Sequence, residues 1–342
     1  MRNVCTFCVL TLAFAGQVCA QSGGIAGIVV ARSTGEALPY SIVEIEGTAF
    51  SVFANDSGRF AFRGVATGLH VLHVRRLGFT PADVSVQVQT GAADTLTVSL
   101  DHVAVQLGGV TVRAFPPCTA PGPPAASDSA LTTIFEQVKL NARQYKYLAE
   151  HYPFDQVVEV HKTRKLRGSK DALLGEPLHN VTYHSTDKRQ YAPGGILKRR
   201  GRDWYFEIPE LIDVAEPSFI NAHCWHYAGV DTIDDVEHYR VDIVAADTLP
   251  DADVNGSFYI NSRSFQIRRS VLHFSRRPSQ VKSVESMETT TEFFEVLPSI
   301  PVISKVRSVQ VIDPSSLYSE TYEDQRTIDI KFRNRKPGDG KP

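Results

Sequence analysis

No histidine in this sequence has a glutamate three residues further on, and His-Glu-x-x-His is absent as well. The paired ligands that place a zinc ion in a peptidase are therefore missing. Gly-x-Ser-x-Gly does not occur either, which removes the elbow that exposes a serine nucleophile in hydrolases. Charge of one sign is also lacking. The formal net charge is only -2 over 342 residues, too little cationic excess to neutralise a run of phosphates, so no nucleic-acid partner is expected. Long apolar runs are missing too: the stretch near the start is broken by Cys8, Thr11, Gly16 and Gln17 and falls short of the roughly 20 residues that a spanning helix needs.

What stands there instead is an early Arg2, an apolar stretch from Val9 to Ala15, and Val18-Cys19-Ala20. This reads as a secretory signal peptide over residues 1–20, cut after Ala20. Gln17-Val18 before Cys19 is a poor match to a lipoprotein signal. Cleavage removes Cys5, Cys8 and Cys19 and leaves Cys118 and Cys224. In an oxidising compartment these two make a plausible disulfide, with two free thiols as the alternative. No transmembrane segment is expected in the mature chain, and the location read from the leader is the periplasm or the outer-membrane surface.

Short alternating runs separated by turn residues fill positions 24–100: Ile25 to Ala31, Ser41 to Glu46, Phe60 to Arg63, His70 to Arg75, Val84 to Gln89 and Thr95 to Leu100. That spacing predicts a sandwich or barrel. In Val84-Ser85-Val86-Gln87-Val88-Gln89 the apolar residues share one face, so one side is buried and the other wet. Asn55, Asp56 and Gly58 tolerate left-handed backbone and predict a tight structural turn, and Gly78 predicts another. A calcium loop at Asn55-Asp56-Ser57-Gly58 is disfavoured because the downstream bidentate glutamate is missing.

Gly35-Glu36-Ala37-Leu38-Pro39, Gly47-Thr48, Asn55 to Phe60, Gly64-Val65, Gly68 and Leu77-Gly78-Phe79 recur as a set that resembles the carboxypeptidase regulatory-like domain. The resemblance implies a seven-stranded, transthyretin-like sandwich. In bacterial TonB-dependent outer-membrane transporters this module precedes the plug, joined by a segment similar to Leu100 to Ala114. The about 230 residues that follow here cannot hold a plug and a barrel of roughly 22 strands at about ten residues each. A transporter is excluded by length.

Residues 101–128 are read as a linker, rich in proline from Pro116 to Pro124. Asp128 or Ser129 can cap a helix whose apolar positions Leu131, Ile134, Phe135, Val138, Ala142, Tyr145 and Leu148 follow three-and-four spacing. Residues 129–332 then return to long antiparallel runs. They predict a curved sheet wrapped over that helix, with hairpins at Pro250 to Gly256 and at Asn261-Ser262-Arg263. Gly256 to Ile267 is similar to the half-barrels of lipoprotein carriers. Residues 333–342 read as a disordered tail. The fold class is all-β with one covering helix.

The densest reactive constellation is His223-Cys224-Trp225-His226. In extended backbone His223 and Trp225 share one face while Cys224 and His226 share the other, so at most two ligands converge and a structural role is favoured. Basic residues gather at Lys162 to Lys170, at Lys198, Arg199, Arg200 and Arg202, and at Arg268 to Arg277. They are expected to be balanced by Asp231, Asp234, Asp235 and Glu237; a convergent set could meet lipid head groups or acidic glycans. No enzyme activity, cofactor or metal is expected. The functional expectation is a non-catalytic binding and assembly module contacting an envelope protein or glycan. A carrier of a lipid or other apolar ligand in the second sheet is the first alternative, and an unrecognised hydrolase the second.

Overall fold

A computed structural model describes residues 22–91, 93–105, 116–169, 173–187, 191–201, 203–334 and 336–337. The export leader expected over residues 1–20 lies outside them, as do residues 106–115 of the joining segment. The fold is all-β with one long covering helix, and no helix among the described residues is long and apolar enough to cross a membrane.

The first domain has seven strands: β1 (Ser22–Ala31), β2 (Ile42–Ile45), β3 (Ser51–Phe53), β4 (Arg59–Ala66), β5 (Gly68–Arg75), β6 (Ala82–Val88) and β7 (Ala93–Leu100). They form two facing sheets, β4-β1-β7 and β3-β2-β5-β6. Along β1 the buried positions are Ile25, Gly27, Val29 and Ala31, so period-two geometry puts one face into the sandwich. Gly27 is required there, because a Cβ would lie 2.6 Å from the Phe60 ring. The turn at Asn55 forms as its residue types predict. Asn55 Oδ1 accepts from the Ser57 and Arg59 amides at 3.0 and 2.9 Å, the Ser57 hydroxyl donates to Asp56 at 3.1 Å, and Gly58 is left-handed with φ of 71°.

The second domain opens with α1 (Ser129–His151), capped by Asp128, whose carboxylate accepts from the Leu131 amide at 3.0 Å. The strands are β8 (Phe154–Leu166), β9 (Leu173–Gly175), β10 (His179–His184), β11 (Leu197–Arg200), β12 (Asp203–Phe206), β13 (His223–Ile233), β14 (Val236–Ala245), β15 (Val254–Asn261), β16 (Ile267–Phe274), β17 (Val284–Leu297), β18 (Ile300–Ile312) and β19 (Tyr318–Phe332). A short helix α2 (Pro217–Ile220) precedes β13. Ten of these strands make one antiparallel sheet in the order β10-β8-β19-β18-β17-β16-β15-β14-β13, with β9 beside β8. Register shifts in β13, β15, β17 and β19 add the bulges that bend such a sheet. At Gly256 the strands come so close that a Cβ would lie 2.0 Å from the Val271 carbonyl oxygen.

Helix α1 packs against the concave side of this sheet, with Ile134, Phe135 and Val138 in a core shared with Trp225, Val241, Phe258 and Ile260. Asn141, fully buried, fixes it in place. Its side chain donates to the Phe265 carbonyl at 2.9 Å and accepts from the Ile267 amide at 2.9 Å. The connection between β15 and β16 is itself held by Asn261, whose side chain accepts from the Arg263 and Ser264 amides.

The sandwich is docked on the second domain rather than hung from it. Phe53 packs on Tyr147 with ring centroids 4.4 Å apart, and Leu77 enters the core of the second domain. Gly78, foreseen only as a turn, donates its amide to Gln137 on α1 at 2.8 Å. Arg76 is buried beside them and donates to the Pro298 carbonyl at 3.2 Å; burial lowers its guanidinium to about 10, opposed by the Glu295 carboxylate.

Two expectations change. Asp234 and Asp235 are the left-handed centre of the β13–β14 hairpin, with φ of 49° and 61°, and Asp231 lies 3.7 Å from Arg240. The lysines of β8 are balanced across strands instead, because the register sets Lys165 opposite Glu320 and Lys162 opposite Glu323. Arg333, expected to begin a disordered tail, is tied to Asp155 through its guanidinium at 2.6 Å, while its amide donates to the Pro153 carbonyl at 2.9 Å.

Candidate functional site: a cavity under the curved sheet

The bent sheet does not lie flat on its helix. Between them is a cavity of about 1700 Å³, walled by β8 and β15 to β19 and roofed by α1 and the chain from Trp204 to Ser218. This volume exceeds the roughly 300–1,000 Å³ of a typical small-molecule pocket. The sequence alternation predicts which side chains face it, but not that they face space.

One sector of the wall is apolar, with Phe258, Leu272, Val284, Met287, Phe293 and Ile303. Another is built from uncharged polar groups, among them Thr289, Thr291, Ser308, Gln310 and Gln325. Many of these are mutually satisfied. The Thr289 and Ser308 hydroxyls are 2.9 Å apart, and Gln156 donates to the Ile303 carbonyl at 2.9 Å. Gln325 donates to Glu323 at 2.7 Å, and Glu323 in turn pairs with Lys162 at 3.0 Å. The wall presents methyl, ring, hydroxyl and amide surface together.

The roof is a strap. Tyr191, Ile196, Leu211, Val214 and Phe219 fill the core below it, while Trp204, Tyr205 and Phe206 line the mouth. Asp253 anchors the strap from beneath: fully buried, it accepts from the Tyr191 hydroxyl at 2.6 Å and the Gly194 amide at 2.7 Å. Burial first, and the Asp253 charge second, push the Tyr191 hydroxyl well above its usual range, so it stays protonated and donating. Lys146 of α1 meets Glu216 at 2.9 Å on the other side, a hydrogen bond that raises the Lys146 ammonium.

His223 lies under the same anchor. Its Nδ1 is 2.8 Å from the Phe219 carbonyl oxygen and its Nε2 3.1 Å from that of Val254, with Asp253 Oδ1 at 3.8 Å. Burial pushes the imidazole toward its neutral form, and the Asp253 carboxylate and the two carbonyls oppose that. Both ring nitrogens are thus committed to the fold. Cys224 is bonded to Cys118, and His226, on the same face as Cys224, has its own charge disfavoured by burial. The alternation expected for this segment holds, with His223 and Trp225 on the buried face. Among the described residues, no three His, Cys, Asp or Glu side chains are arranged to hold a metal ion.

Asn55, Asp56 and Gly58 lie on the sandwich, and none of them lines the cavity. Sequence reasoning missed the strap and the polar sector. A signal for the latter was present: β17 and β18 carry Thr and Ser on one side and Glu288, Glu292, Lys305 and Arg307 on the other. A wet outer face usually concentrates charge, so a face of uncharged polar groups is a different kind of surface.

Parts of this chain are similar to three solved structures. A minor pilin of Streptococcus agalactiae is 15% identical over 27% of this chain and 49% of its own, with a TM-score of 0.22. A type II cohesin–X-dockerin complex from Acetivibrio cellulolyticus is 20% identical over 22% of this chain and 52% of its own, with a TM-score of 0.19. The chain spans about half the length of these two. A LolA superfamily protein from Nitrosomonas europaea is 11% identical over 59% of this chain and 94% of its own, with a TM-score of 0.29. No curated protein matches the chain. Over residues 24–101 the sequence matches the family model of the carboxypeptidase regulatory-like domain, the module that forms the seven-stranded sandwich.

Proposed function

We propose that the protein is a non-catalytic carrier, exported to the cell envelope, whose second domain holds an amphiphile with an acyl or comparable apolar chain. The observation that carries this reading is the cavity of about 1700 Å³ between the curved sheet and its roof. Contact with an envelope protein or glycan through sandwich edges or the inner face of the second sheet, the reading favoured from sequence, does not call for a cavity of this size. Burial of an apolar chain against Phe258, Leu272, Met287 and Phe293 supplies the driving force, at roughly 25 cal/mol per Å² removed from water. The hydroxyl and amide sector suits the more polar part of the same molecule, since each buried polar group of a ligand needs a partner.

Extraction of the purified full chain, followed by mass spectrometry, tests this. A lipid recovered in near-equal molar amount, and saturable binding of a fluorescent fatty acid to the delipidated protein, are the expected results. Met287→Trp, which fills the apolar sector, should weaken the fluorescent probe by at least about tenfold. Absence of both lipid and saturable probe binding would overturn the reading.

A further inference from the structure

The hairpin of β11 and β12 has features that ligand enclosure does not require. Its two strands pair only with each other, Arg199 opposite Trp204 and Lys198 opposite Tyr205, so it stands apart from the ten-stranded sheet. Its base is anchored, with Phe206 packed on Phe274 at a ring-centroid distance of 4.6 Å. Further out, Trp204 is 41% exposed and Tyr205 46% exposed. Tyr183, at the end of β10, is also exposed and shares the cavity mouth with them.

Cations accompany these rings. Residues 197–206 include Lys198, Arg199, Arg200 and Arg202 against the single acid Asp203, and Arg202 lies outside the described residues. Lys198 is 3.7 Å from Glu207, whereas the Arg199 guanidinium lies 5.8 Å from the centre of the Trp204 ring. Exposed indole and phenol rings beside arginines match the chemistry of a bilayer interface, where such rings sit at head-group level and cations meet anionic lipid. Arg200, Trp204 and Tyr205 border the cavity, yet a ligand inside it gives no reason for the two rings to stand 41% and 46% exposed beside arginines.

We infer that the β11–β12 hairpin docks the protein on an anionic lipid surface, so that Trp204 and Tyr205 enter the head-group layer and the cavity mouth faces the membrane. The inference is independent of what the cavity holds.

The sequence supplies its own probe, because Trp204 and Trp225 are the only tryptophans and Trp225 is buried in the core at 5% exposure. Wild-type protein should sediment with phosphatidylcholine–phosphatidylglycerol vesicles and remain in the supernatant with phosphatidylcholine alone. Charge reversal in Arg199→Glu/Arg200→Glu, both on the surface hairpin, should reduce the sedimented fraction at least about tenfold. In a Trp225→Phe variant, emission from Trp204 should shift to the blue and gain protection from acrylamide on anionic vesicles only. Should that variant not fold, wild-type sedimentation decides. Equal sedimentation with neutral vesicles, undiminished sedimentation of the charge-reversed protein, or no sedimentation with either overturns the inference. Protein that takes up lipid but stays in the supernatant would support the carrier reading while refuting the docking surface. Protein that sediments yet binds no fatty acid would do the reverse.

Discussion

Cys118 is bonded to Cys224, 106 residues further along the chain, with their Cα atoms 5.6 Å apart. The proline-rich segment that follows the sandwich is therefore fastened to the start of β13 rather than left as a free spacer. Backbone bonds accompany it: Gly122 donates to the His223 carbonyl and Asp247 to that of Cys118, each at 3.0 Å.

Reduction of this bond, or Cys118→Ser/Cys224→Ser, should lower stability by about 2–5 kcal/mol, as expected when a loop of this length is released in the unfolded chain. Urea denaturation with and without dithiothreitol measures it. A change below about 1 kcal/mol would show that the remaining contacts of the segment hold it unaided.

Gln137→Ala removes the acceptor for the buried Gly78 amide, the bond that joins sandwich to helix. An orphaned buried donor costs about 1–3 kcal/mol. Hydrogen exchange at Gly78 should quicken by about tenfold or more, with little change inside the sandwich core.

Asp253→Asn places an amide NH₂ where one carboxylate oxygen now accepts, against donors from Tyr191 and Gly194 or from Val254. Loss of about 3–5 kcal/mol is expected, the scale for breaking a buried charged network by removing one partner. Tyr191→Phe keeps the ring and should cost about 1 kcal/mol. Equal effects of the two substitutions in urea denaturation would contradict this account of the anchor.

Asp155 is held below the ordinary carboxylate range by Arg333 first and His184 second. Because the folded value is depressed, the stabilisation is present above the unfolded value of about 4 and is lost as pH falls through the lowered value. Carboxyl NMR should show Asp155 titrating below the ordinary aspartate value of about 4. Arg333→Gln should move it back toward that value.

Much of this architecture was legible in the residues, and the illegible part has a common cause. The Asp128 cap and the three-and-four spacing from Leu131 to Leu148 place α1 to within a few residues, and period-two runs place most long strands. Local spacing fixes local backbone, and both signals are local. The short β3 lies between two turns with too few residues to alternate, and β13, with its mixed His223-Cys224-Trp225-His226 opening, resembles a reactive cluster more than a strand. The cavity could not be read directly, since alternation on β17 and β18 tells two faces apart without telling solvent from enclosed space. Gly78 shows the same limit, because its positive φ is local whereas its partner Gln137 lies 59 residues away.

The sheet ends at β10 on one side and β13 on the other, and these two strands do not pair. The strap over the cavity is held by ring packing and side-chain bonds such as Tyr191 to Asp253 and Lys146 to Glu216, so it can shift without parting any rung of the ten-stranded ladder. If the proposed carrier reading holds, a bound molecule exchanges at the pace of loop motion, on the nanosecond to microsecond scale, and not at the far slower pace of strand separation.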